Sequence, residues 1–328
     1  MRIEVHKTHE IDLNYWREIV FEFNRAFNVN KETGELVAFY NCTPVGYSYH
    51  ALVFEERTNK IIGYNAIYPY KYIDRHEGEI LVGVSGGTYV IPEFRKEIFI
   101  FADMATALWD FISREGIIAT IGVSNENSYQ YARQFLDARL ISYLPYYALP
   151  VRILNVLKLR KISFLNFISL TLAYIHLLAN LILSFIINDI EKQSRFELKL
   201  DEDFYLKRFG GENYKVICLK NIRAYYRTVL EKGVRTIYLF DFRENRERSY
   251  RAIVRSVWYI LIHEKPDIII FIGNLRIKQY LLIRVPWRFE PQNLPLTFNL
   301  TSPKFDKYLE PMSDPNNWNF GLMNFDVR

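Results

Sequence analysis

At 328 residues the chain is too long for one ordinary core and suits two domains of about 150 residues each. Half of its residues are hydrophobic and 16% are aromatic, which excludes a disordered chain. The net charge of +5 comes from Lys and Arg interleaved with Asp and Glu, so nucleic-acid binding has little support.

Cys42 and Cys218 are the only cysteines, so there is neither a disulfide framework nor a CxxC metal pair. A reducing, cytoplasmic interior is the natural setting. The first residues, Met1 to His6, are charged and alternating, unlike a signal peptide. The sequons at Asn41-Cys42-Thr43 and Asn299-Leu300-Thr301 carry no meaning inside a cell.

Along the chain, Trp16, Ile19, Val20, Phe23 and Phe27 recur at helical spacing and predict a helix over Asn14 to Phe27. Tyr47 to Glu55 and Lys60 to Pro69 read as a hairpin, and Gly78 to Ile91 as the next strand. Ile98, Phe101, Ala102, Ala105, Leu108, Trp109 and Ile112 then mark one buried helix face. Gly116 stops that helix, and Ile117 to Val123 is a short apolar strand. A helix over Glu126 to Leu136 and a strand through Ile141 to Leu149 complete the unit. This order predicts an α+β layer around a mixed sheet.

The second half repeats part of that order, with a strand at Val234 to Asp241, a helix at Tyr250 to His263 and a strand at Asp267 to Asn274. In both halves a helix feeds an isoleucine-rich strand that ends in glycine and then asparagine. We read a degenerate internal duplication, with domains at 1–155 and 195–328 and an apolar helical connector at 156–194. Residues 162–188 carry no charged residue except His176, were it protonated, and Arg152, Lys158, Arg160 and Lys161 precede them. The stretch is long enough to span a bilayer, but Asn166, Ser169, Thr171, Asn180 and Ser184 interrupt it. Burial between domains or by self-association is the first reading, and contact with a membrane surface is the second.

Val90-Ile91-Pro92-Glu93-Phe94-Arg95-Lys96-Glu97-Ile98-Phe99, the helix after it and Asn125-Glu126-Asn127-Ser128 resemble the core of the GNAT acyltransferase superfamily. More narrowly, the chain resembles bacterial two-domain GNAT proteins associated with cell-surface polysaccharide synthesis. Phe204-Tyr205-Leu206-Lys207-Arg208-Phe209, Asn317-Trp318 and Asp326 match that type in the second half. The resemblance implies a GNAT-like mixed sheet flanked by helices, with a second, degenerate GNAT-like half. It also implies transfer of an acyl group, acetyl in the first instance, from acyl-CoA to an amine of a small molecule such as an amino sugar.

Carried over onto this sequence, Tyr89 and Val90 offer backbone groups to the pantetheine and the acyl carbonyl. Arg95, Lys96, Glu97, Ile98 and Phe99 surround the pyrophosphate, Asn125 bonds the pantetheine arm and Ser128 lines the channel. Lys96, and either Glu97 or Ile98, stand where the family has glycines, and Glu97 puts negative charge beside a diphosphate. Ala132 stands where the family often has its tyrosine acid, leaving Tyr129 and Tyr131 as candidates. Glu79 and Glu55 are candidate bases. The aromatic runs Tyr68 to Tyr72 and Tyr143 to Tyr147 suit either sugar stacking or strand packing. Loss of the glycines leaves a second function open, a catalytically inactive binding or scaffolding protein in the same pathway.

Overall fold

The computed structural model describes residues 1–97, 99–211 and 214–325, without the side chains of Asn127 and Arg160. In chain order its elements begin β1 (Arg2–Lys7), α1 (Leu13–Phe27), α2 (Thr33–Asn41), β2 (Tyr49–Phe54), β3 (Ile61–Asp74) and β4 (Gly78–Val90). They continue α3 (Phe99–Arg114), β5 (Ile117–Val123), α4 (Glu126–Leu136), β6 (Arg139–Tyr143), β7 (Tyr146–Pro150), α5 (Ile153–Val156) and α6 (Asn166–Ile186). Then come β8 (Phe196–Leu198), α7 (Glu202–Phe209), β9 (Lys215–Leu219), β10 (Ile222–Glu231), β11 (Val234–Glu244) and α8 (Tyr250–Glu264). The last are β12 (Ile268–Ile272), β13 (Ile283–Arg284), β14 (Pro295–Leu300) and α9 (Leu309–Ser313).

These elements form two compact units. The first comprises residues 1–143, 195–208 and 294–318, and the second residues 144–194, 209–293 and 319–328. The contiguous division expected at 155 and 194 therefore differs from the observed one. Pro145 cannot donate to a sheet ladder, and at that point the expected strand Ile141 to Leu149 breaks into β6 of the first unit and β7 of the second.

In the first unit the strands run β1-β2-β3-β4-β5-β14-β6, with β8 beside β3. Every neighbouring pair is antiparallel except β4 and β5. A parallel pair needs a crossover, which α3 supplies. Ile100, Met104, Leu108 and Ile112 turn from α3 into a core shared with Trp16, Ile19, Leu36 and Tyr40 of α1 and α2. Each such side chain contributes roughly 2 kcal/mol on burial. The buried stripe is rotated from the expected one: Ile100 and Met104 are buried, while Phe101 and Trp109 stay half-buried. The structure accounts for that rotation, because Phe101, Ala105 and Trp109 line a cleft.

Sequence reading did not anticipate α2 or β14, although Leu296, Phe298 and Leu300 alternate with Thr297 and Asn299 as a strand should. β14 enters the sheet between β5 and β6, pairing Leu296 with both Val123 and Ser142. Trp318 of the Asn317-Trp318 pair is fully buried against Phe196, and its indole nitrogen donates to the Met312 carbonyl at 2.8 Å. Asp326 lies outside the described residues.

The second unit has a sheet ordered β13-β7-β12-β11-β10-β9. Here too a helix, α8, joins a parallel pair, β11 and β12, registered Thr236 to Ile268 and Tyr238 to Ile270. The two halves thus share a strand–helix–strand unit, as the internal duplication anticipated. Connector α6 packs on α8 and β7 of this unit, with Ala173 and Leu177 in its core. The burial expected between domains or by self-association for residues 162–188 is seen here as one edge of α6 packed on the second unit itself.

Candidate active site: a cleft between two parting strands

β4 and β5 pair only from Leu81 with Ile117 to Val84 with Ile121. Past that point β4 carries a bulge. Ala66 pairs with Gly86 and Tyr64 with Tyr89, so Gly87 and Thr88 together face Asn65. Gly87 holds φ +69°, a left-handed conformation natural to glycine, and a Cβ there would lie 2.7 Å from the Tyr40 hydroxyl. An extra residue bends a strand and strengthens its twist, so β4 leaves β5 and a cleft opens between them.

The cleft holds about 670 Å³. Ser85, Gly86, Thr88, Tyr89 and Val90 form one wall, and Thr120 to Ser124 with Asn125, Ser128 and Tyr131 form the other. Ala26 and Phe27 of α1 and Thr297 and Asn299 of β14 also line it. Of the residues expected to bind a cofactor, Tyr89, Val90, Arg95, Glu97, Asn125 and Ser128 line this one cleft. Lys96 and Phe99 are exposed and do not line it, because the turn between β4 and α3 directs them outward. Ile98 lies outside the described residues.

Within that turn the backbone is internally bonded. The amides of Phe94, Arg95 and Glu97 donate to the carbonyls of Ile91, Pro92 and Phe94 at 3.0, 3.4 and 3.0 Å. A glycine-rich turn can present such amides to phosphate, whereas this one closes 3₁₀-type bonds on itself. The Arg95 guanidinium donates through Nε to the Val90 carbonyl at 3.0 Å, which fixes a cation at the mouth of the cleft. It also occupies the very carbonyl assigned to the pantetheine.

Asn125 is the N-cap of α4, and its Oδ1 accepts the Ser128 amide at 2.9 Å. The side-chain NH₂ remains its group for a ligand. Asn65 of β3, which sequence reading passed over, is 3% exposed and accepts the Thr88 hydroxyl at 2.8 Å. A lone amide in a strand of aliphatic and tyrosine residues is the one signal that could have revealed it.

Of the four candidate catalytic residues, only Tyr131 lines the cleft, edge-on to Phe101 at 5.2 Å between ring centres. Burial, reinforced by the Asp103 carboxylate, raises its phenol pKa, so it is a proton donor at neutral pH. Tyr129 is buried and off the cleft, since positions two apart on a helix face different ways. Glu79 sits at the far end of β4 in a network with Lys199 at 2.6 Å and Lys71 at 3.6 Å. The Lys199 hydrogen bond, partly opposed by desolvation, lowers its pKa. Glu55 closes the β2–β3 turn, where its amide donates to the Lys60 carbonyl at 2.9 Å. Neither glutamate reaches the site, because both lie at strand ends away from the bulge.

Tyr89 is buried and lies beyond use as an acid; burial, then the carboxylates of Glu22 and Glu18, push its pKa well up. Of the aromatic runs, Tyr70 packs on Phe204 and Tyr72 on Trp318, both inside the unit. Tyr68 stacks on Tyr40 at 5.5 Å and remains half-buried beside Gly86.

No family model matches the chain, and no curated protein matches it in sequence. Solved structures do. A GCN5-related N-acetyltransferase from Anabaena variabilis covers 92% of this chain and 73% of its own at a TM-score of 0.56 and 9% identity. The Kribbella flavida GCN5-related N-acetyltransferase covers 92% and 72% at 0.53 and 9%. Eis1 from Mycobacterium abscessus covers 95% and 76% at 0.52 and 11%.

The chain has the GNAT fold. The likeness extends over both halves, in agreement with the expected α+β class. At such identities it establishes the fold, and the chemistry has to come from the site. In the second unit a buried charge network lies beside the parallel pair β11 and β12. Arg248 lies between Phe242 of β11 and Phe271 of β12, 5.8 and 5.7 Å from the ring centres. It bonds the buried Asp241 at 2.7 Å and pairs with Glu191 at 3.5 Å. Burial works against the Asp241 charge, but Arg243 and Arg248 outweigh it and hold that carboxylate below its usual range.

Proposed function

We propose that the protein is an acyl-CoA-dependent N-acyltransferase, moving an acyl group, acetyl in the first instance, to the amine of a small molecule. One observation carries the reading: β4 and β5 part at the Gly87–Thr88 bulge into an open cleft that Asn125 and Ser128 flank. The pantetheine arm would lie along the cleft, hydrogen-bonded by backbone groups of β4 and by the Asn125 amide. The diphosphate would meet Arg95 and the N-terminal end of α3, whose dipole favours anions.

In the reaction a neutral amine attacks the thioester carbonyl, a C–N bond forms, the C–S bond breaks and the sulfur takes a proton. We assign that last transfer to Tyr131, whose phenol lines the cleft. Glu97 is the carboxylate among the described lining residues, and it stands on the cofactor side. Water therefore takes the proton that the attacking nitrogen sheds on becoming an amide, and returns one to Tyr131.

The finer assignment is an amino-sugar acceptor in surface-polysaccharide synthesis. Its support is the sequence resemblance together with Tyr68 and Phe27, aromatic faces at or beside the acceptor end. Isothermal titration with acetyl-CoA tests the whole reading. Binding that is lost in Ser128→Trp, which fills the cleft, is the expected result. Absence of both heat and thermal stabilisation at millimolar acetyl-CoA sinks it, since a ligand at 100-fold its Kd adds about 2.7 kcal/mol.

A further inference from the structure

The connector helix is inside out. A helix on the surface of a soluble protein turns its apolar stripe inward and its polar residues to water. In α6 the buried positions are Asn166, Ala173, Leu177, Asn180 and Ser184. Phe167, Leu172, Ile175, Leu178, Ile182 and Phe185 face out, each between 49% and 63% exposed. Thr171 is the polar side chain on that outer strip, and its hydroxyl is satisfied within the helix by the Phe167 carbonyl at 2.8 Å.

The polar residues that interrupt the apolar stretch are spent on the protein. Asn166 donates to Asn155 at 2.8 Å, His176 Nε2 to the Leu281 carbonyl at 3.1 Å, and Tyr250 donates to Asn180 at 2.5 Å. These attachments run the length of the helix. Crossing a bilayer would break them and carry Asn180 and His176 into hydrocarbon. A helix held along one edge, with an apolar strip on the other, lies in the plane of an interface.

The surroundings select the occupant. Lys158 and Lys161 are exposed at the N-terminal end of the strip, and the Arg255 guanidinium sits 5.8 Å from the Phe185 ring at the other. Residues 157–188 contain no Asp or Glu. Two copies meeting face to face would set cation against cation in either orientation, whereas anionic headgroups complement both ends.

We propose that α6 is an in-plane membrane anchor whose outer strip docks on an anionic phospholipid surface. This holds whatever reaction the first unit catalyses.

Flotation of the full chain with phosphatidylcholine vesicles, with and without about a third of phosphatidylglycerol, tests it. The protein should float with the anionic vesicles, and binding should fall several-fold as salt screens the charges. Leu172→Ser/Ile175→Ser/Ile182→Ser, on exposed positions, should cut flotation at least ~10-fold with the melting temperature unchanged. Lys158→Glu/Lys161→Glu, which touches no buried group, should abolish the anionic preference and decides the matter if the triple variant does not fold. The proposal is overturned if the wild type floats with neither vesicle or if the Lys variant floats like the wild type. A folded triple variant that floats like the wild type overturns it as well. A stable dimer that the triple variant dissociates, without vesicle binding, would show that a second copy covers the strip and would likewise overturn it.

Discussion

Asn125 accepts the Ser128 amide at 2.9 Å, so one side chain both starts α4 and edges the cleft. Asp and Ala substitutions separate these duties. Asn125→Asp keeps the capping oxygen and should melt like the wild type, yet it lacks the NH₂ and should weaken acetyl-CoA by roughly tenfold. Asn125→Ala should show the same loss of affinity and also lose about 1 kcal/mol of stability. Titration calorimetry with denaturant unfolding distinguishes the two.

Glu97 lines the cleft on the side proposed for the diphosphate. Removing its charge should tighten binding of the cofactor, by about 1 kcal/mol or fivefold given its exposure to solvent. We expect Glu97→Gln to bind acetyl-CoA several-fold better at low salt, with the gain shrinking as salt rises. A weaker Kd in that variant would place the diphosphate elsewhere.

Gly87→Ala combines a left-handed φ with a Cβ only 2.7 Å from the Tyr40 hydroxyl. It should lower stability by about 2 kcal/mol or more. Because the bulge opens the cleft, cofactor binding should suffer too. Full stability in the alanine variant would mean that the bulge does not need glycine.

Tyr131→Phe keeps the ring contacts with Phe101 and Phe135 and removes only the phenol. A fall of about 10²-fold in kcat with an unchanged KM is expected of a lost acid. Equal loss in KM instead would make Tyr131 a binding group.

His50 is fully buried, bonded to Thr8 at 3.0 Å and Tyr64 at 2.8 Å, and burial with a smaller contribution from His6 pushes its pKa down to about 3. The fold thus favours the neutral ring. Its contribution is complete above about pH 6.5 and is lost as pH falls from there towards 3, since the unfolded chain binds the proton first. The full effect is of order 5 kcal/mol. Urea unfolding at neutral pH and near pH 4.5 should show a steep loss in the wild type and a shallower one in His50→Gln; parallel slopes would refute it.

The β4–α3–β5 unit was legible because its signals are local, an apolar strand, a helical stripe from Ala105 to Ile112 and a glycine stop. So was the gathering of Tyr89, Arg95 and Asn125, since each follows directly from a strand end or a helix start. Thr297 and Asn299 were not, because β14 reaches the cleft from far along the chain, and its short alternation of Leu296, Phe298 and Leu300 with polar residues does not say which strand it pairs with. Asn65 was hidden for the same reason: its place opposite the bulge depends on register with β4. The orientation of α6 was equally invisible, because its composition is the same whichever edge faces the protein.

The position of β14 also bears on how the chain is made. β5 is central in the finished sheet, yet its outer neighbour consists of residues 295–300. On a ribosome the emerging first unit therefore presents Ala119 to Val123 as an open sheet edge until residues 295–300 have been translated. A fragment ending after β6 would keep that edge for good and should self-associate. Supplying the C-terminal segment in trans should restore it to solution. Maturation of the cleft is in this sense a late event in biosynthesis, gated by the arrival of a strand rather than by the folding of the residues that form most of its walls.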